Sequence, residues 1–271
     1  MVSSRRLARH LLIAILFVAT SCLASWAADI DPSVPTADGL RVADVKRLTR
    51  EYYGSITCMD RNVGRVLAVI DELGLREKTL VIFTSDHGYM IGHHGLHHKG
   101  NAAWIVEGKT GNRPNFFDEV IRVPLFIRWP GMVKPGRRIE ETVTNMNFFP
   151  TLLEVAGVEP PADYRDRGRS FWSLLRAEAG TPVQAPWNDT IFGQYDMHHY
   201  MRDRMRMLRT QRWKLVRHFI PGGEDELYDL RNDPGELRNL AQAPEAAAVL
   251  DGMRAELQNR MANIADPCGQ P

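Results

Sequence analysis

From Val42 onward, apolar side chains recur at Val45, Leu48, Tyr52, Ile56, Met59, Val63, Val66, Ile70 and Leu73. Gaps of three and four place them on one side of a long helix. Gly74 follows the last of them and is suited to ending it. The pattern then changes to Thr79-Leu80-Val81-Ile82-Phe83-Thr84, a continuous β-branched and apolar run. A run polar on neither face predicts an interior strand covered on both sides. Helix followed by buried strand is the rhythm of an α/β protein.

Ser85 to Gly100 is rich in glycine and histidine, and a polar stretch continues to Asn115; both predict loop. Val123 to Trp129 is a second buried-strand candidate, closed by Pro130-Gly131. Phe148 to Ala156 predicts a short helix, with Pro150 in its first turn and Gly157 after its end. Pro160-Pro161 marks a domain boundary, after which the texture shortens. Thr190 to Tyr195, Met205 to Arg209 and Trp213 to Phe219 predict strands of a small antiparallel sheet. A last helix over Pro244 to Ile264 aligns Leu250, Met253, Leu257, Met261 and Ile264. The expected architecture is a parallel-sheet α/β piece over 29–159 and a smaller α+β subdomain over 160–271.

Composition adds few constraints. The chain has 271 residues, 44% of them apolar, enough for a hydrophobic core. A formal net charge of +1 gives no global reason to expect nucleic acid or an anionic membrane as partner. The first residues differ from the rest: Arg5, Arg6 and Arg9 precede the apolar run Leu11 to Thr20, and Ser25-Trp26-Ala27 offers a small-x-small cleavage pattern. These features predict an export signal over 1–28 and a periplasmic or secreted protein. The run is too short for a stable membrane span. A buried N-terminal helix and lipidation at Cys22 are the competing readings. Cys58 and Cys268 would remain after cleavage, and their spacing identifies no disulfide framework.

Chemistry concentrates after the first predicted strand. Thr84-Ser85-Asp86-His87-Gly88 puts a carboxylate and an imidazole where ligands gather in open α/β sheets, and Gly88 lets the chain turn away. Asp86 suits a hard cation, and His87 suits a metal or a hydrogen bond to an anion. Asp86 as a turn or helix cap is the plainer alternative. His87, His93, His94, His97 and His98 crowd around Lys99. The i, i+4 pairs among them would suggest zinc on a helix, but Gly92, Gly95 and Gly100 argue against one. An anion-facing wall with Lys99 as a point charge, or a solvated polar loop, are the two readings of this stretch.

In combination, these segments resemble the sulfatase family of the alkaline-phosphatase-like superfamily. The resemblance is carried by Thr84-Ser85-Asp86-His87-Gly88, Gly92-His93-His94-Gly95-Leu96 and Lys99-Gly100-Asn101. It continues through Arg122-Val123-Pro124-Leu125-Phe126-Ile127-Arg128, Phe149-Pro150-Thr151-Leu152-Leu153 and Leu227-Tyr228-Asp229-Leu230. It implies part of an αβα sandwich with a C-terminal antiparallel subdomain, and hydrolysis of sulfate esters, including those of sulfated polysaccharide, at a calcium site. It implies Asp86 as a metal ligand, His87 at the adjacent metal or anion position, Lys99 on a sulfate oxygen, and His94 as a further catalytic group.

Family members also carry C/S-x-P-S-R, whose first residue becomes the formylglycine nucleophile. Cys58 is followed by Met59-Asp60-Arg61 and reads as packing, while Ser33-Val34-Pro35-Thr36-Ala37 lacks the arginine. The expectation is a sulfatase-family chain whose nucleophile and calcium site are incomplete. A non-catalytic, sulfated-glycan-binding remnant and a phosphate-ester hydrolase are the alternatives.

Overall fold

The computed structural model describes residues 12–17, 42–95, 99, 115–161, 168–177, 187, 189–199 and 201–269. His97, His98 and the cleavage pattern around Ala27 lie outside them. The apolar stripe forms helix α1, Val42–Glu72. Gly74 adopts φ 65, and Leu75 N–H donates back to the Ile70 carbonyl, closing the helix as the glycine predicts. The stripe is covered only in part by described residues: Val45 and Ile70 are buried, whereas Leu73 is 65% exposed.

Strand β1 is Leu12–Phe17, β2 is Thr79–Thr84 and β3 is Leu125–Arg128. They form one sheet in the order β1-β2-β3. β1 runs parallel to β2, from Leu12 opposite Thr79 to Phe17 opposite Thr84. Six apolar residues from the stretch expected to be an export signal thus make a strand, since a short uncharged run satisfies either requirement. β3 is antiparallel to β2, so the sheet is mixed where an all-parallel one was expected. Its position explains the exception: β3 is short and Phe126 is exposed, as on the antiparallel edge strands that many parallel sheets carry. Pro124 cannot donate to the ladder, so the strand starts after it.

Two compact units divide the chain. In the first, Leu80 and Ile82 of β2 pack with Trp129, Val155, Phe171, Trp172, Leu174 and Leu175. Val155 lies on a helix over Phe148–Ala156, and Trp172 opens another over Trp172–Arg176. Gly157 ends the former at φ 64, with its N–H on Glu154 O and that of Val158 on Leu153 O.

The second unit is built on four antiparallel strands in sequential order: β4, Ile191–His199; β5, Met201–Arg209; β6, Trp213–His218; and β7, Glu226–Asp229. Alternation along β5 and β6 gives the sheet two covered faces. Leu208, Leu215 and Leu227 meet Leu250, Met253, Leu257 and Met261 of the last helix, Ala247–Asn263. Met205, Met207 and Val216 face the other way and pack with Phe116 and Ile121. Ile121 belongs to a four-residue helix, Asp118–Ile121, called α2 here. Lys214 and Arg209 are paired across β5 and β6, two residues from Val216 and Met207, and so share the α2-facing side.

Candidate anion-binding site

β2 delivers the motif. Thr84 and Ser85 are buried, and Asp86, the next residue, is exposed. The Ser85 hydroxyl lies 3.5 Å from Asp86 Oδ1. Asp86 closes the β2 segment of the first unit; the residues from His87 to Val123 belong to the second.

Within the second unit, His87 has both ring nitrogens engaged. Nδ1 is 2.8 Å from the Gly88 carbonyl, and Nε2 is 3.0 Å from Lys99 Nζ. A carbonyl can only accept and an ammonium can only donate, so the two contacts together require the neutral tautomer with its proton on Nδ1. Lys99 and His87, paired in the sequence reading as anion-binding candidates, are in direct contact. A metal on Nε2 would have to displace the ammonium and then stand beside its charge, so His87 does not fit as a cation ligand in this arrangement.

The loop after His87 is held against α2. Gly88 N–H donates to Val120 O at 2.7 Å. A side chain at 88 would bring Cβ to 1.9 Å from Glu119 O, which explains the glycine. His93 Nδ1 is 3.4 Å from Glu119 Oε1, with both side chains largely buried. The His94 ring stacks on Phe117 at 3.7 Å between centroids and 9° between planes. Burial, reinforced by the neighbouring His93, brings the His94 pKa down to about 4, against smaller opposing contributions from Gly235, Asp233 and Glu226. His94 is therefore neutral at pH 7, and its Nε2 is buried without a hydrogen-bond partner among the described residues. It takes a left-handed backbone, φ 54, inside a single helical turn over His93–Gly95. The i, i+4 partners His97 and His98 lie outside the described residues.

Sequence reading found these histidines and Lys99 but missed what holds them. Asp118, the first residue of α2, forms a largely buried polar cluster with Arg209, Lys214 and Glu236. Its only sequence signal was a lysine within the apolar alternation of Trp213-Lys214-Leu215-Val216. No group of three or more His, Cys, Asp or Glu side chains among the described residues could hold a metal ion. Calcium takes six to eight oxygen ligands, and Asp86 supplies one carboxylate. This residue set does not complete a calcium site.

Mixed β-sheet, antiparallel C-terminal sheet and a histidine–lysine loop after the central strand define a chain of the sulfatase type. Residues 22–158 match the family model "Sulfatase", and 112–263 match "N-sulphoglucosamine sulphohydrolase, C-terminal". The chain belongs to the sulfatase family. It is 31% identical over 201 residues to an N-acetylglucosamine-6-O-sulfatase of Bacteroides thetaiotaomicron, covering 73% of this chain and 33% of that protein. Over 246 residues it is 32% identical to mouse (Mus musculus) steryl-sulfatase, covering 79% and 37%. A solved structure described as BT4656 in complex with its substrate D-glucosamine-2-N,6-O-disulfate superposes with a TM-score of 0.71 at 28% identity, covering 83% of this chain and 42% of that one. The phosphonate monoester hydrolase of Agrobacterium radiobacter superposes with a TM-score of 0.68 at 30% identity, covering 82% and 42%. The chain spans about two-fifths or less of the length of these curated relatives.

Proposed function

We propose that this chain supplies the sulfate-holding side of a sulfate-ester hydrolase acting on sulfated sugars, with Lys99 binding a sulfate oxygen. The observation that carries the reading is the Lys99–His87 contact at 3.0 Å. An ammonium has three N–H donors, and His87 takes one, which directs the other two. A cation fixed before the ester binds stabilises charge growing on the ester oxygen as its bond to sulfur breaks. Neutral His94, stacked on Phe117, is the second candidate group of this loop: its buried Nε2, without a partner among the described residues, can accept a hydrogen bond from a hydroxyl. Calcium beside Asp86 belongs to this proposal only as a site needing further oxygen ligands, and no step is derived through it.

Sulfated glycans are the favoured substrate class, because the matched C-terminal family is described by a sulphoglucosamine substrate and the BT4656 complex holds a disulfated glucosamine. A periplasmic or secreted location follows from the basic start and the Leu11 to Thr20 run, and is part of the proposal. Among the described residues, no helix is long and apolar enough to cross a membrane.

The test is titration of the purified chain with inorganic sulfate and a sulfated glucosamine, alongside turnover of a chromogenic aryl sulfate. Lys99→Ala is expected to weaken sulfate binding by roughly tenfold or more, the scale of a charge-assisted hydrogen bond. Equal affinity in wild type and variant would sink the assignment. The likeness to a phosphonate monoester hydrolase gives a second reading, phosphoryl transfer, which a preference for aryl phosphate over aryl sulfate would favour. Retained binding of sulfated polysaccharide without turnover would instead favour a non-catalytic binding chain.

A further inference from the structure

The loop from His87 to His94 touches α2 at Glu119 and Val120 and the preceding Phe117, and α2 is anchored through its own Asp118 by Arg209, Lys214 and Glu236. α2 has four residues, too few to hold a helical conformation unaided. Its position must come from tertiary contacts. Asp118, its first residue, accepts from Lys214 Nζ at 2.6 Å on Oδ1 and from Arg209 Nη2 at 2.6 Å on Oδ2. The Asp118 backbone N–H donates to Glu236 Oε2 at 2.6 Å, the helix-start contact that the preceding Phe117 does not supply. Lys214 also donates to Phe116 O at 2.8 Å and lies 2.6 Å from Glu236 Oε1. The Lys214 and Glu236 side chains are both 0% exposed.

We propose that the Asp118–Lys214–Arg209–Glu236 cluster is a positioning device: it fixes α2, and α2 fixes the His87–His94 loop for anion binding. Asp118 is the central positioning residue. The connection is short and continuous. Each residue of α2's first three sits under one loop group or beside it: Asp118 follows Phe117, on which His94 stacks; Glu119 meets His93; Val120 accepts from Gly88. The 233–236 turn contributes twice, through Glu236 under α2 and through the Gly235 backbone at His94. Glu236 itself holds φ 54, a conformation a non-glycine residue keeps only when its surroundings over-determine it.

An apolar cluster could have filled the same volume at no electrostatic cost, because buried ion pairs seldom out-stabilise packed hydrocarbon. What hydrocarbon cannot do is fix direction. Two carboxylates and two cations with aimed hydrogen bonds set both the height and the rotation of a one-turn helix, and hence the place where Gly88 and the two histidines dock.

The inference rests on the proposed anion-binding role of the loop, and two readouts separate them. Amide exchange on the full chain measures positioning, and titration with inorganic sulfate measures binding. In Asp118→Ala the Gly88 amide should exchange about tenfold faster, while Leu215 and Val216 in β6 change much less. Sulfate affinity should fall with it. Glu236→Ala, the second variant should Asp118→Ala not fold, removes the acceptor for the Asp118 N–H and should act in the same direction. Glu236→Gln keeps an acceptor oxygen there and should restore most of the protection. Unchanged Gly88 exchange, or equal acceleration at Gly88 and throughout β6, would overturn the proposal, because the cluster would then be ordinary structural support. A wild-type chain that binds no sulfate, yet shows the selective Gly88 effect, would remove the anion-binding reading and leave the positioning of the loop established.

Discussion

Gly88 and Val120 are joined by a 2.7 Å hydrogen bond that ties the residue after the Asp-His pair to α2. The contact is possible because residue 88 has no side chain: an added Cβ would stand 1.9 Å from the Glu119 carbonyl oxygen and 3.3 Å from Val120 Cα. Both neighbours are backbone, which cannot rotate aside. Gly88→Ala is therefore expected to cost about 1–3 kcal/mol by forced displacement, and more if the Val120 bond breaks. Urea unfolding would measure the loss. A variant as stable as wild type would mean that the loop and α2 do not approach this closely.

Much of this architecture was legible because local chemistry and tertiary environment agree. Thr79–Thr84 and Phe148–Ala156 occur over the residues their patterns predict, and Leu250, Met253, Leu257 and Met261 form the buried stripe of the last helix. Strand β7 and α2 were not legible. Glu226–Asp229 is too short to show alternation, and Asp118–Ile121 has its reason for existing in Lys214 and Glu236, some hundred residues away. The site divides in the same way. Residue types and glycine spacing expose His87, His94 and Lys99 as candidates, but the neutral tautomer of His87 follows from two distances that no sequence encodes.

His94 should make the loop acid-sensitive. Its folded pKa, lowered by burial to about 4, lies below the unfolded value near 6.5. The folded state thus favours the neutral ring. Stability from its burial is fully present above pH 6.5 and is lost as pH falls from there through 4. Amide exchange between pH 7 and 4, corrected for intrinsic rate, should therefore show wild type losing protection at His93 to Gly95, whereas His94→Phe, which keeps the stack on Phe117, should not. Parallel behaviour of the two proteins would show that another group governs the acid response.

Arg206 is the clearest stability hot spot in the second unit. Its Nε donates to Asp266 Oδ2 at 2.7 Å, and the two side chains are each 1% exposed. Nη1 reaches Asp196 at 2.9 Å, but that carboxylate is partly in water. Asp266→Ala leaves a buried guanidinium without its buried counter-charge, which should cost about 3–5 kcal/mol. Asp196→Ala should cost much less, since solvent can replace an exposed partner. Equal losses for the two, measured by chemical denaturation, would contradict the burial pattern.

His218 should produce the opposite pH response in the same unit. Burial by itself would lower its pKa, but Asp203 Oδ2 at 3.2 Å from Nδ1 and Glu226 Oε1 at 2.8 Å from Nε2 outweigh it and raise the value to about 9. A folded pKa above the unfolded 6.5 means that the folded state binds the proton more tightly. The stabilisation is complete below pH 6.5 and disappears as pH rises through 9, and on the scale of one pKa unit it amounts to no more than about 3 kcal/mol. The urea midpoint should accordingly decline between pH 6.5 and 9 in wild type and stay flatter in His218→Gln, whose amide can serve both carboxylates at most as a neutral donor. Glu226 also accepts from the Tyr228 hydroxyl at 2.9 Å, and that bond should survive the substitution. A wild-type midpoint that is level across this window would mean that the imidazolium is not shared between the two carboxylates.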